Sequence, residues 1–532
     1  MKKIYFSFLI AALLTNFSSA QQAQWLTSVP INYSFNPETP QQPACVSGNK
    51  IFAGRMVDFN LSFGVDIFGS MSIDCHDTSG VQLWSFPLGQ KANIHCISAD
   101  ASGNVYVGGV FMETLHLTPN DSLENTGSNF DTNLFLLSLD ASGNLRWKRN
   151  LSLTHADAFN ISCLDIDPQS NCWYALEFFD SCTIKRLDAT GQDVQSHIIM
   201  GTRTLGSFSF DPNGNMFLAG SAGFLTLSVN GYSVNAPEPY MMFVSRINAA
   251  GNASWIQLVH DVTFQSPQIV ATASGDAYVA GNLMDTAVFG NVSFHHPQWV
   301  YDIFLTKVDA SGNFSWGVQV PETPIITGDF MRGRNNFVDV DAAGNVYLAG
   351  IIRGIVDWGN GVITDAGAIT NYGGSVISFD NNGVARWQVT GSAAGFIAPY
   401  SLCVTGQDEC YFSAGISGSV TFNSISANQG GGFAFLLGKI SGSTSSGIDE
   451  LSSGELLNVY PNPANNKLAI GSRQYAIKAI QIYNFIGELV LSVQLQASNF
   501  KPETTIDVSH LPAGSYFLQA GNARAMFVVQ HY

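Results

Sequence analysis

An all-β fold is predicted by three features of this sequence. A turn of the form Asp-x-x-Gly recurs along most of its length, the flanking segments are rich in β-branched and aromatic residues, and glycine is abundant at 51 of 532 residues while only 12% are charged. Ordinary globular domains are about a quarter charged. Many tight turns joining short, uncharged, β-prone runs suit antiparallel hairpins.

The turn comes in two forms. In one, Trp follows the Asp or Asn by seven residues: Asp77–Gly80 leads to Trp84, Asp140–Gly143 to Trp147, Asn248–Gly251 to Trp255, Asp309–Gly312 to Trp316 and Asp380–Gly383 to Trp387. The other lacks the Trp and ends in small residues, as in Asp100–Gly103 to Gly109, Asp211–Gly214 to Gly220 and Asp341–Gly344 to Gly350. The Asp carboxylate suits the first position of a type I turn because it caps nearby amides, and the Gly takes the positive φ of a following bulge. No ligand is needed to explain the pattern.

Two such hairpins make a four-stranded sheet. The Trp positions run 25, 84, 147, 195 (Gln here), 255, 316 and 387, a step of about 60 residues that matches propeller blades rather than a shorter solenoid repeat. The prediction is a seven-bladed β-propeller over residues 21–442, followed by a Gly/Ser-rich linker over 443–455. The seventh repeat ends without a Trp strand, while Ala23–Val29 carries Trp25 with no blade of its own. That N-terminal strand is expected to complete the last blade and close the ring, removing an exposed edge. The third repeat departs most, with Ser170 for Gly, Gln195 for Trp, and Cys172 and Cys182 nearby.

The units of the form Asp-x-x-Gly-Asn-Val-Tyr-Val-x-Gly, as in Asp100–Gly109, resemble the seven-bladed propeller repeat family abbreviated SBBP over about residues 23–442. The resemblance implies the fold and is silent on activity.

Residues 1–20 carry Lys2, Lys3, an apolar run from Ile4 to Leu14, and small residues before a cleavage point between Ala20 and Gln21. This is the pattern of a signal peptide. Residues 456–532 change character and read as short strands of a small β-sandwich,. They resemble the type A C-terminal sorting domain of the type IX secretion system of Bacteroidetes. The resemblance rests on Tyr460, Pro461, Asn462, Pro463, Tyr483, Asn484, Gly487, Leu511, Pro512, Ala513, Gly514, Tyr516 and the final Phe527-Val-Val strand. It implies passage through the periplasm, recognition by the outer-membrane machinery as a partner, and often cleavage with attachment to surface lipopolysaccharide.

The formal charge is −17 with no basic cluster, which excludes nucleic acid as a partner. The eight cysteines lack paired C-x-x-C spacing, so no metal site is expected from them; disulfides or buried thiols both remain open. Binding residues are expected on the face opposite the Asp–Gly turns, whose connections are long and read as irregular. The candidates there are His155 with Asp157, His260 with Asp261, His295 and His296 near Trp299 and Tyr301, and Arg332 with Arg334. Aromatic and polar groups of this kind stack on and hydrogen-bond a sugar or peptide.

Catalytic signatures are missing. Sialidase boxes place Gly two residues after Asp rather than three, and quinoprotein docking repeats place Trp eight residues on. Asp339-Val-Asp341-Ala-Ala-Gly344 lacks the distal Glu of a calcium loop,. No cofactor is expected. The reading is an exported, surface-delivered binding or adhesion propeller for an extracellular glycan or protein. Two alternatives are a polysaccharide-acting hydrolase or lyase with its site on the variable-loop face, and a structural surface protein.

Overall fold

The computed structural model describes residues 21–32, 41–63, 66–125, 127, 131–155, 157–223, 225–238, 241–260, 262, 266–283, 286–295, 302–321, 328–393, 395–442, 458–471, 479–484, 489–494, 503–520 and 523–531. The leader, Ala20 included, and the linker over 443–455 lie outside them. The chain divides into two compact units, Met1–Ser443 and Thr444–Tyr532.

In the first unit each repeat folds as a four-stranded antiparallel meander. The fourth repeat shows the pattern plainly: Thr202–Phe210, Met216–Ala222, Met241–Ile247 and Ala253–His260 pair in chain order. The third follows suit with Asn160–Ile166, Cys172–Phe178, Ser181–Leu187 and Asp193–Met200. The innermost strands touch their neighbours in series. Ala44–Ser47 meets Gln82–Ala99, which meets Asn160–Ile166, then Thr202–Phe210, Gln268–Ala271, Val338–Val340 and Phe396–Gly406, and this last returns to Ala44–Ser47. The N-terminal strand Gln21–Ile31 pairs along its length with Ile425–Gly442, with Thr27 opposite Leu437.

The turns take their expected geometry. Asp140 Oδ1 accepts from the amides of Ser142 and Asn144 at 2.8 and 2.9 Å. Gly143 sits at φ 85°. The glycine has a second duty: the Trp of one repeat packs on the turn Gly of the next. A Cβ built on Gly191 would stand 2.5 Å from Trp147, and one on Gly143 2.8 Å from Trp84. The indole N–H then donates to the turn: Trp84 to Ala141 O at 3.2 Å, Trp255 to Ala310 O at 3.0 Å, Trp316 to Asn381 O at 3.0 Å. Asp-x-x-Gly and Trp therefore recur together because, at Gly80, Gly143, Gly191, Gly312 and Gly383, one repeat supplies the plug for its neighbour's socket.

Three of the connections on the opposite face correct the expectation of irregular loops. Leu115–Thr118 with Asp121–Leu123, Thr226–Val229 with Tyr232–Asn235, and Thr286–Phe289 with Val292–His295 are β-hairpins. Each buries alternate residues, Leu227 and Val229 for example being fully covered. The hairpin of the fourth repeat adds to the outer strand of the third, Ile199 opposite Val229, and that of the seventh adds to the sixth, Gly391 opposite Phe422. They cover sheet edges, which otherwise invite association.

All eight cysteines are free thiols, buried or half-buried. The second unit packs Asn458–Tyr460, Lys467–Gly471 and Glu503–Asp507 against a sheet of Leu489–Gln494, Ala479–Asn484, Gly514–Ala520 and Ala523–Val529. Leu468, Ile482, Ile506, Leu518 and Phe527 form their shared core. Three of the residues that carry the sorting resemblance hold this fold together. Asn462 Oδ1 accepts from Val528 N at 2.9 Å, Tyr516 OH donates to Pro512 O at 2.7 Å, and Leu511 is buried. Tyr460, Pro461, Pro463 and Gly514 are exposed, and Gly487 lies outside the described residues.

Candidate functional site

Where the innermost strands begin, away from the Asp–Gly turns, polar side chains converge on a cavity of about 280 Å³. His95, Asn160, Glu177, Gln268, Arg332 and Arg334 line it. Gln268 and Asn335 also line a second space of about 150 Å³ bounded by the innermost strands, so the two spaces adjoin, the first as a mouth and the second as the channel below it.

The arginines are held from both sides. Gly328–Arg332 pairs with Val346–Asp357, after which Gly333 N donates to Ala349 O at 2.9 Å. Only a residue without Cβ passes there, since a Cβ would meet Phe337 Cβ at 2.7 Å and Ala349 O at 3.0 Å. The amides of Arg334 and Asn335 donate to Pro399 O and Tyr400 O, each at 3.0 Å. The Arg332 guanidinium donates to Gly333 O and Arg334 O at 3.2 and 3.3 Å, and stands 5.5 Å from the Phe337 ring centre. Burial, helped by the charge of Arg334, brings its pKa down to about 9. It stays cationic at neutral pH, poorly hydrated and pre-positioned for an acceptor.

On the facing side runs a relay. Glu177, 3% exposed, accepts from Asn160 Nδ2 through Oε2 and from Leu205 N through Oε1, both at 2.8 Å. Asn160 Oδ1 lies 2.9 Å from His95 Nδ1, which places the proton on that ring nitrogen. Burial pushes the Glu177 carboxyl above the usual range, opposed by the bonds from Asn160 and Leu205. Asn335 Nδ2 donates to His95 O at 2.7 Å, tying the sixth repeat to the second across the mouth.

Deeper in the channel, Asp165 and Asp339 act between repeats. Asp339 Oδ2 accepts from Val404 N at 2.7 Å, stapling the sixth repeat to the seventh. Burial raises Asp165 to about 7 and Asp339 to about 6, each further raised by a neighbouring carboxylate. A carboxyl whose folded pKa exceeds its unfolded value binds its proton more tightly when folded, so stability falls as pH climbs from about 4 to about 7 and is flat beyond. Asp165→Asn is expected to remove this contribution, worth on the order of 1–2 kcal/mol after discounting for channel hydration. Urea midpoints at pH 5 and pH 8 check it; an unchanged pH slope in the variant would refute the assignment.

Of the described residues among those chosen from sequence, only Arg332 and Arg334 line this mouth. His155 turns to Asp193 at 3.6 Å rather than to exposed Asp157. Asp193 is shared with Arg149 at 2.6 Å and Lys185 at 3.3 Å, and burial together with Lys185 lowers the His155 pKa. His260 pairs with Glu238 at 2.8 Å in an exposed position. His295 is an exposed hairpin residue whose backbone bonds both ends of the Gln319 amide. Asp261, His296, Trp299 and Tyr301 lie outside the described residues. His95, Asn160, Glu177, Gln268 and Asn335 were missed. Their signal was polarity at the start of successive innermost strands, four to seven residues ahead of the turn for His95, Asn160, Gln268 and Asn335.

Residues 458–530 match the family described as the secretion system C-terminal sorting domain. This domain sends the chain through the type IX secretion machinery, with which it interacts, to the cell surface or the extracellular space. No curated protein matches the sequence. Among solved structures, the chain is similar to virginiamycin B lyase from Staphylococcus aureus at 11% identity and TM-score 0.40, covering 78% of this chain and 99% of that one. The polysaccharide lyase Uly1 matches at 9% identity and TM-score 0.45, over 79% and 99%. The Dos1 propeller matches at 10% and 0.39, over 79% and 95%. At these identities no activity transfers from them.

Proposed function

We propose that the chain is a surface-delivered seven-bladed β-propeller, of the SBBP-like kind, that binds an extracellular glycan or protein at the mouth of its channel. The ring reading draws support from the unbroken series of touching innermost strands and from the pairing of Gln21–Ile31 with Ile425–Gly442. Cleavage of the sorting domain with attachment to lipopolysaccharide belongs to the same proposal. The observation that carries the binding reading is the convergence of Arg332 and Arg334 with amide and imidazole groups on one cavity. The carboxylate beside them, Glu177, is already engaged through both oxygens. Such a mouth favours a ligand rich in acceptor oxygens, carboxylates above all.

The test is a glycan and protein binding screen on the full mature chain, with Arg334→Ala, an exposed position, as the reporter. Affinity is expected to fall about tenfold, the cost of one charge-assisted contact, with melting unchanged. Undiminished affinity would overturn the mouth as the site. A polysaccharide hydrolase or lyase is the second reading, favoured by the Glu177–Asn160–His95 relay that holds an imidazole in the cavity. Turnover of a polysaccharide in the same screen would replace binding by catalysis.

A further inference from the structure

The seam between the third and fourth repeats is built differently from its neighbours. Elsewhere the fourth strand supplies an indole to the next turn; here Gln195 holds that position, opposite Arg186 in the register. The aromatic group has moved inward. Trp173 occupies the second strand, where the repeats on either side carry Tyr106 and Phe217, and His197 stacks on it at 5.2 Å and 6°. Over Gly251 the nearest side-chain atom to a built Cβ is His197 at 3.4 Å, against 2.5–2.9 Å from Trp at Gly80, Gly143, Gly191, Gly312 and Gly383. His197 is itself fixed, its Nδ1 accepting from Asn230 at 2.7 Å.

The consequence is a cavity of about 310 Å³ at the seam, on the turn side of the molecule and away from the channel mouth. Its lining is unusual for a gap between sheets. Gln169, Gln195 and Asn213 present carboxamides, beside Arg186 and His197, and Asn248 adds only its amide nitrogen, its Oδ1 already accepting from the amides of Ala250 and Asn252. Asp167, the acid of the lining, is occupied by Trp173 Nε1 at 2.9 Å and by the amides of Gln169 and Asn171. Arg186 stands 6.0 Å from the Trp173 ring, its buried Nε has no hydrogen-bond partner, and no ion pair engages it among the described residues. Ala249 holds the position whose carbonyl takes an indole N–H in Ala141 and Ala310.

We propose that this seam is a second binding site, taking one pyranose ring of an extracellular glycan. Carboxamides offer a donor and an acceptor side by side, matching vicinal hydroxyl pairs, and the uncompensated guanidinium supplies a donor for a ring or hydroxyl oxygen. A cation is rejected by Arg186, and an apolar ligand would cut the carboxamides of Gln169, Gln195 and Asn213 off from water without replacing its hydrogen bonds. The volume stands at the lower end of small-ligand sites, roughly 300–1,000 Å³, which suits a single sugar ring. The site is independent of the channel mouth.

Calorimetry on the full mature chain tests it, using hexamers of β-glucan, xylan, mannan, galactan, chitin and polygalacturonate as probes. Gln195→Trp restores the plug of the other seams; it is expected to abolish binding of the recognised hexamer while leaving or raising the melting temperature. Asn213→Ala keeps the cavity and removes one amide, with an expected tenfold loss. Arg334→Ala should leave this affinity unchanged. Absence of binding by every hexamer at millimolar concentration would overturn the proposal, as would binding that Gln195→Trp and Asn213→Ala leave intact or that Arg334→Ala removes.

Discussion

Deleting Gln21–Ile31 is expected to cost the first unit about 5 kcal/mol or more, a large share of the 5–15 kcal/mol that holds a typical domain folded. The strand pairs with ten residues of Ile425–Gly442, from Phe433 to Gly442. It also buries Ala23 and Ile31, and the half-buried Trp25 lies on Gly80 with its Nε1 donating to Thr78 O at 3.0 Å. A large apolar side chain contributes about 1.5–3 kcal/mol by burial, and the deletion leaves the inner partner as a bare edge open to other chains. Thermal melting with light scattering should show a transition lowered by many degrees and accompanied by aggregation. A melting curve like that of the intact chain would mean that the first unit does not depend on its N-terminal strand.

Gly191→Ala is expected to destabilise by about 3 kcal/mol. Two penalties combine: a non-glycine residue in the left-handed region costs about 1–2 kcal/mol, and Gly191 lies there at φ 83°. The new methyl also stands 2.5–2.8 Å from three atoms of the Trp147 indole. Moving that indole costs a further 1–3 kcal/mol or so, as overpacking does in cores. Gly48→Ala separates the two effects, because Gly48 has φ 58° but nothing within 4 Å of its would-be Cβ. Denaturant unfolding should show Gly48→Ala losing only the backbone share. Equal losses in both variants would remove indole docking as the reason for the recurrent Gly.

The repeat was legible in sequence because its chemistry is local. An Asp that caps its own turn and a Gly at positive φ are dictated within five residues, so Asp140–Gly143 announces itself. The indole contact from Trp84 to Gly143 joins residues far apart in the chain, and only their shared spacing hinted at it. The hairpins were within reach: Asn230-Gly231, at φ 48° and 85°, is the dipeptide that closes a two-residue turn, yet the four-residue strands around it passed for loop. The mouth was the hardest part. His95, Asn160 and Asn335 each look like a polar residue beginning an ordinary strand, and nothing local says that strands from different repeats aim them at one cavity. Arg332 and Arg334 were named for their place in a long connection between strands, and both line this cavity.

The eight free thiols bear on how this chain must travel. Cys96, Cys172, Cys182 and Cys403 are buried, and burial raises their pKa well above that of an ordinary thiol. Such groups are inert toward oxidants once the sheets have closed over them. Before that moment they are ordinary reactive thiols in an oxidising compartment. Closure of the sheets is therefore what keeps these thiols from pairing at the oxidising cell surface to which the sorting domain sends the chain,.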